Sequence, residues 1–304
     1  MATIVQYVID AVSLGGLYAL AALGIGFIFG VMRLINFAYG EYITYAAYAL
    51  VVPTSAQVAE KLIGNWPAPL MVAAIVAITM ALAVATERAA FRPLRGADPA
   101  TLLISSFAVS YLLQNVILLV HSGRPKSVNI GAGLTEPVGL LGFRVPLNDL
   151  VTIVVCLLML AALAAFLKRT SYGVQMRAAS ENFLMARFLG IRGDTIISLA
   201  FAISGLLAAV VSLLVVIKNG VLDFRMGVPF VLVAFVATVI GGMGSLLGAA
   251  TGGFLIGFIT VLLQAFLPQQ LRPARDAFVF GLIVLILLLR PQGLLQPRSA
   301  KERV

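Results

Sequence analysis

TIISLAFAISGLLAAVVSLLVVI, Thr195–Ile217, runs 23 residues without a charge. A helix rises about 1.5 Å per residue, so about 20 apolar residues cross a hydrocarbon layer of about 30 Å. This stretch is long enough to do so, and too oily along its whole length to be the one-sided helix of a soluble core. The rest of the chain agrees with it. Of 304 residues 61% are hydrophobic; with the 28 glycines counted in and the 8 tyrosines out, about two-thirds of the chain is apolar, against roughly 45–50% for soluble domains. Charged residues are 11%, less than half of the roughly 25% a soluble surface carries. The reading is an all-α, polytopic membrane protein forming one transmembrane domain over residues 1–304.

Outward from Thr195–Ile217, similar runs are Val5–Val31, Ile35–Val52, Ala68–Thr86, Ala100–Val120, Val151–Leu167 and Ala277–Leu289. The apolar stretch from Pro229 to Leu267 is too long for one crossing, and Gly241-Gly242-Met243-Gly244-Ser245 divides it, with Pro229–Ile240 the shorter part. Eight or nine spans are expected, with a re-entrant break possible at the glycine run if protein covers it. The first run has no basic residue ahead of it and no cleavage signal after it, so it reads as a permanent helix. With nine spans, one set of connecting segments, including Lys168–Asp194 and the tail 290–304, holds 13 Lys and Arg, and the opposite set holds 8. The excess places Lys168–Asp194 and the C-terminus in the cytoplasm and the N-terminus outside.

The composition also excludes functions. One cysteine and one histidine cannot supply the roughly four ligands of a zinc site or a disulfide framework. Cys156, inside VTIVVCLLML, reads as a small hydrophobe, and His121 as a solvated loop residue. No GxxxxGK[ST] occurs, so the chain has no phosphate loop of its own for ATP. The net charge of +9 comes from basic residues that flank apolar runs and do not cluster with aromatics, which argues against nucleic acid. An intramembrane serine protease built on Ser245 would need a histidine partner, which the distant His121 does not offer.

Three polar features remain. In Lys168–Asp194, KRTSYGVQMRAASENFLMARFLGIRGD, Ser180 reads as an N-cap with Glu181 in the first turn, and Gly190 as a left-handed C-cap. Leu184, Met185, Phe188 and Leu189 share one face of that short helix, with Glu181, Asn182 and Arg187 elsewhere. A helix so short is marginal alone and needs a partner surface or its own bundle. The second feature is Asn36-Phe37-Ala38-Tyr39-Gly40-Glu41, which brings an amide and a carboxylate into the second span, at a cost of about 2.5–3.5 kcal/mol for a charge at the centre. It reads as part of a polar path, or as a helix anchor in which Glu41 pairs with Arg33. The third is the small-residue spacing at Gly26–Gly30, Gly248–Gly252 and Gly253–Gly257, which suits close helix packing. Asp10, near the end of the first span, reads as interfacial. With only Glu41 and Asp10 acidic within the spans, an ion-coupled secondary transporter, which usually carries several midplane carboxylates, is the weaker reading.

Taken together these blocks resemble the LivH-type permease subunit of bacterial ABC importers for branched-chain amino acids. The resemblance runs through Gly16-Leu17-Tyr18-Ala19-Leu20 and Ala22-Leu23-Gly24, Asn36–Glu41, Gln114-Asn115, Arg177-Ala178, Glu181-Asn182, Ala186, Leu189-Gly190-Ile191, the glycine run with Gly248, and Arg290-Pro291-Gln292-Gly293-Leu294-Leu295. Tyr39 departs from it, standing where relatives often carry histidine. The resemblance implies a multi-pass protein of the bacterial inner membrane that is not itself an enzyme and holds no cofactor. ATP-Mg would act on two separate ABC ATPase subunits, and a second, LivM-like permease and a periplasmic substrate-binding protein would complete the assembly in the lipid bilayer. Asn36, Phe37, Tyr39, Gly40 and Glu41 would lie on the translocation path. Ala178, Glu181, Asn182, Leu184, Ala186, Arg187, Phe188 and Gly190 would couple to an ATPase. Gly241, Gly242, Gly244, Gly248 and Gly252 would form the helix break and its packing. Lys126, Arg144, Lys218, Arg225, Arg272 and Arg275 could face the binding protein. Importers of the same class for urea, short amides or other amino acids are the alternative.

Overall fold

The computed structural model describes residues 2–54, 56–130, 137–140, 143–290, 293 and 294. Among them six helices are long and apolar enough to cross a membrane: α1 (Ala2–Met32), α3 (Ala68–Thr86, continued by a π-helical turn, Glu87–Phe91), α4 (Pro99–His121), α5 (Leu147–Arg169), α8 (Gly193–Asn219) and α10 (Leu246–Phe266). Two more apolar helices, α9 (Gly227–Gly241) and α11 (Arg275–Leu289), have 15 residues each, about 22 Å of rise. Two short helices, α6 (Ser171–Glu181) and α7 (Phe183–Phe188), sit at one end of the bundle, the α6–α7 end. At the opposite end lie two small antiparallel ribbons: β1 (Lys126–Ser127) with β4 (Val221–Leu222), and β2 (Pro137–Leu140) with β3 (Phe143–Pro146).

The expected second span, Ile35–Val52, is not a single crossing. Only α2, Tyr39–Tyr48, is helical there, about 15 Å long. The chain leaves α1 through Arg33 in the left-handed region (φ 56°) and turns on Asn36, whose side-chain oxygen accepts the Ala38 amide at 3.1 Å. Past α2, Leu50 and Val51 close turns onto Ala47 and Tyr48, and Val51 bridges to Lys61. The hydrophobic count saw a continuous apolar run; the local hydrogen bonds of Asn36 and the left-handed Arg33 interrupt it. Such irregular backbone survives at membrane depth only under protein cover, and Leu34, Asn36, Ala38 and nearly all of α2 are buried.

That cover comes from α1 and α8, which are mostly buried, while α3, α4 and α5 turn most of their surface outward. The crossing of α1 with α10 is antiparallel and built on glycine. A Cβ on Gly257 would stand 2.5 Å from the Gly15 backbone, one on Gly253 2.5 Å from Tyr18 O, and one on Gly26 3.1 Å from the Ala249 side chain. The small-residue spacings are therefore packing within the bundle, where apolar lipid supplies no drive and close approach must. Gly30 is the exception, with nothing within 4 Å of its Cβ position. Cys156 is buried against Gly16, as a small hydrophobe.

Substituting Gly257→Ala presses a methyl into the α1 backbone, which cannot move aside as a side-chain tip can. We expect about 3 kcal/mol of destabilisation, the upper end of what overpacking typically costs, read as a fall in the thermal unfolding midpoint in detergent. Gly30→Ala, with open space to fill, should leave the midpoint unchanged.

Candidate functional site

The α2 start lies deep in the bundle. The Tyr39 ring sits against Gly24 of α1, eight residues and so about 12 Å along the axis from Met32. There the first turn of α2 meets that of α9. A Cβ on Gly227 would be 1.8 Å from Gly40 O, and one on Gly40 2.8 Å from Gly227 O, so the two backbones touch with no room for a side chain. Thr44 Oγ1 joins them, donating to Gly40 O at 3.2 Å and accepting the Gly227 amide at 3.2 Å.

Glu41 lies one residue beyond this junction and is 1% exposed. The Ser110 hydroxyl of α4 donates to Oε1 at 3.2 Å, while Oε2 is buried without a partner among the described residues. The pairing of Glu41 with Arg33, one of the two sequence readings, is not formed: neither group is in a salt bridge among the described residues. Asn36 Nδ2 donates to Tyr42 Oη at 3.4 Å, and Tyr42 shares a 2.6 Å hydrogen bond with Thr86. Phe37 stacks on Phe107 of α4 at 4.2 Å and tilts against Phe235 of α9, and its amide donates to Ser106 Oγ at 3.4 Å. The Tyr39 hydroxyl, like Glu41 Oε2, is buried and unpartnered among the described residues. Sequence reasoning missed Thr44, Gly227, Ser106, Ser110 and Phe107. A signal existed for the two serines: Ser106, Ser110, Leu113 and Ile117 recur at three and four residues, the inward stripe of α4.

His121 is not a solvated loop residue. It closes this stripe, buried and edge-on to the Tyr48 ring at 4.7 Å, because α4 extends one residue past the apolar run and ends on it. Ser245, at the other end of the molecule, caps α10 by accepting the Gly248 amide at 3.0 Å, so it has a structural task. Gly242 (φ 102°) and Gly244 (φ 92°) make the turn before it. Beside the turn Gly241 and Gly248 are in backbone contact (a Cβ on either would lie within 2.2 Å of the other's carbonyl), and Gly252 packs on Ala237. Leu294 N donates to Ile240 O at 2.7 Å. The rest of the tail 290–304, from 295 onward and at 291 and 292, lies outside the described residues.

At the α6–α7 end the expected capping is shifted. Ser180 is inside α6, its hydroxyl turned to Arg177 O, and Glu181 ends that helix. The N-cap of α7 is Asn182, whose side chain accepts the Met185 amide at 3.1 Å. A serine and an asparagine two residues apart offer the same chemistry. Asn182 takes the role because its extended backbone (φ −149°) breaks the rod, which lets α6 pack along α5 and α7 turn to α8. Gly190 does adopt the left-handed C-cap (φ 86°). Ala178 is half-buried, and Ala186 is buried toward the bundle. Leu184, Met185, Phe188 and Leu189 are exposed, an apolar face with nothing on it. Next to it a cavity of about 760 Å³ is lined by Arg33, Arg95, Arg187 and Arg192 with Asp194. Arg95 pairs with both Asp194 and the fully buried Glu87, which also accepts from Ser198 at 2.8 Å, and Arg92 reaches Asp194 at 2.7 Å. This network ties the α3–α4 connection to the start of α8.

At the opposite end, Lys126 is buried and donates to Thr54 O; burial pushes its ammonium below the usual lysine range. It therefore cannot face a partner, contrary to expectation, because β1 pairs with residues 57–59. Lys218 and Ser13 bind Asp149 at 2.7 and 2.9 Å, with Asp10 half-buried beside them. Arg225 lies over Phe224, and Arg275 pairs with Asp276. The Arg144 side chain lies outside the described residues.

Residues 7–288 match the family model described as "Branched-chain amino acid transport system / permease component". The chain is 32% identical to the high-affinity branched-chain amino acid transport system permease protein BraD of Pseudomonas aeruginosa, over 95% of each chain. It is 32% identical to the corresponding protein LivH of Escherichia coli, over 95% of this chain and 94% of that one. A probable branched-chain amino acid transport permease protein LivH of Methanocaldococcus jannaschii is 27% identical over 93% and 90%. No solved structure matches the chain.

The Glu87 network makes its own prediction. Arg95→Met strands a buried carboxylate and should cost about 3–5 kcal/mol, measured by unfolding in detergent. Adding Glu87→Met should recover most of that loss, since the uncompensated charge goes with it.

Proposed function

Since this chain belongs to the family of branched-chain amino acid transport system permease components, a family of transport proteins with no catalytic subunit role, we propose that it is the membrane permease of an ATP-driven, binding-protein-dependent importer of branched-chain amino acids. The observation that carries the path assignment is the junction of α2 and α9: two helices begin inside the bundle, and beside their meeting point Glu41 holds a buried carboxylate oxygen with no partner. A helix start favours negative charge and a free carboxylate oxygen favours an ammonium. A zwitterionic amino acid offers both, whereas urea and short amides carry neither charge. The relatives are named for branched-chain amino acids, which also favours that class. On this reading Asn36, Phe37, Tyr39, Gly40 and Glu41 border the path. It passes between this chain and a second, LivM-like permease, and a periplasmic binding protein delivers the solute.

The engine is borrowed. The chain has no phosphate loop, so two ABC ATPases with ATP-Mg drive it from the α6–α7 end, with the N-terminus outside and the C-terminus cytoplasmic in the bacterial inner membrane. The exposed face of Leu184, Met185, Phe188 and Leu189 enters an ATPase groove, and the neighbouring arginine cavity meets acidic groups there. ATP binding then shifts the population between states open to either side. Ala178, Glu181, Asn182, Ala186, Arg187 and Gly190 set the shape of the contact, and the Glu87–Arg95–Asp194 ties carry its movement to α3 and α8.

Two measurements test this. Phe188→Glu changes a residue 78% exposed, so stability should hold while co-purification with the ATPase falls at least tenfold; unchanged association would overturn the coupling assignment. Glu41→Gln keeps size and the Ser110 contact. In liposomes carrying the whole importer it should lower leucine uptake at least tenfold with assembly intact, and full uptake would remove Glu41 from the path.

A further inference from the structure

A second opening plays no part in this transport reading. Between the last third of α1, the last turns of α5 and the first turns of α10 lies a cavity of about 380 Å³, within the roughly 300–1,000 Å³ of small-ligand sites. Its walls are apolar, with Leu23 and Phe27 from α1, Leu160 and Leu163 from α5, and Leu246 from α10. One end carries Lys168 and Arg177, both exposed and neither in a salt bridge among the described residues. From Leu160 to Lys168 the slot follows α5 for about 12 Å.

Three facts narrow the occupant. Gly30 lines the slot with nothing within 4 Å of its Cβ position, while the other α1 glycines, Gly15, Gly16, Gly24 and Gly26, are pressed against neighbours. The space is therefore left open where the rest of the crossing is closed. Second, α5 is the least buried of the six long helices, at 11% of its apolar window, so the slot borders the face that meets lipid. Third, the two free cations stand where hydrocarbon gives way to the α6–α7 surface, the depth of a phosphate headgroup. A soluble anion would use the cations and leave the apolar walls empty; a zwitterionic or uncharged lipid would use the walls and leave the cations unmatched.

We propose that this slot binds one anionic phospholipid, one of its two acyl chains along α5 beside Gly30 and its phosphate on Lys168 and Arg177. The lipid fills the gap between α1 and α5 and touches the root of α6, the element that leads into α7.

Native mass spectrometry of the full-length chain, given synthetic phosphatidylglycerol or phosphatidylcholine with the same acyl chains, tests this. One phosphatidylglycerol should be retained at detergent levels that strip other lipid, with roughly tenfold preference over phosphatidylcholine. Lys168→Gln with Arg177→Gln, both on the surface, should abolish the preference without unfolding. Gly30→Leu should lose the bound lipid of either kind, with a monodisperse elution profile as the folding control. Millimolar inorganic phosphate should displace nothing. The proposal is overturned if wild type shows no headgroup preference, if the double variant keeps it, if phosphate alone displaces the lipid, or if Gly30→Leu retains phosphatidylglycerol and loses a permease partner instead.

Discussion

Backbone amides in hydrocarbon have no water to bond, so chain that is not helical there must be wrapped in protein. The segment from Arg33 to Ala38 breaks the rule of continuous helix, and much of the fold exists to cover the break. Two long helices, α1 and α8, lie mostly inside the bundle, and the first turns of α2 and α9 approach until only glycine fits at Gly40 and Gly227. Thr44 supplies the hydrogen bond that the α9 start lacks. The outcome is a place deep in the apolar bundle where helix ends and side-chain oxygens meet.

The acidic groups sort by partner. Glu87 and Asp149, both buried, are matched by Arg95 and Lys218; these pairs hold connections in place at the two ends of the molecule. Glu41 has only a serine hydroxyl on one oxygen. A buried polar group left unpaired is costly. Among the described residues the other two buried carboxylates are matched by cations, and this one is not.

At the α6–α7 end, polarity is reversed: apolar side chains are exposed. Leu184, Met185, Phe188 and Leu189 are exposed on a six-residue helix, too short to hold itself by propensity. Asn182 and Gly190 cap its two ends, and Ala186 with Phe183 pins it to α8, where the Phe183 ring lies over Gly193. The helix is fixed from behind while its front is exposed.

How much of this was legible follows from the range of each interaction. The long spans could be read directly, because apolar length is a local property: Ala68–Thr86 is found as expected, and the others differ by four residues or fewer at their ends. The α10 start and the Gly190 cap were legible for the same reason, since a glycine in the left-handed region acts on its own neighbours. The break in the second span could not be read from hydrophobicity, which counts side chains and is blind to Arg33 turning left-handed. Nor could the choice of Asn182 over Ser180, which depends on how α6 lies on α5. The amino-acid sequence by itself determined that the chain lives in a membrane, which segments are oily enough to stay there, and that no phosphate loop is aboard. Tertiary structure alone decided which glycines touch, that Glu41 meets Ser110 and not Arg33, and that His121 and Lys126 are buried. Those outcomes depend on residues tens to hundreds of positions apart, and packing, not periodicity, brings them together.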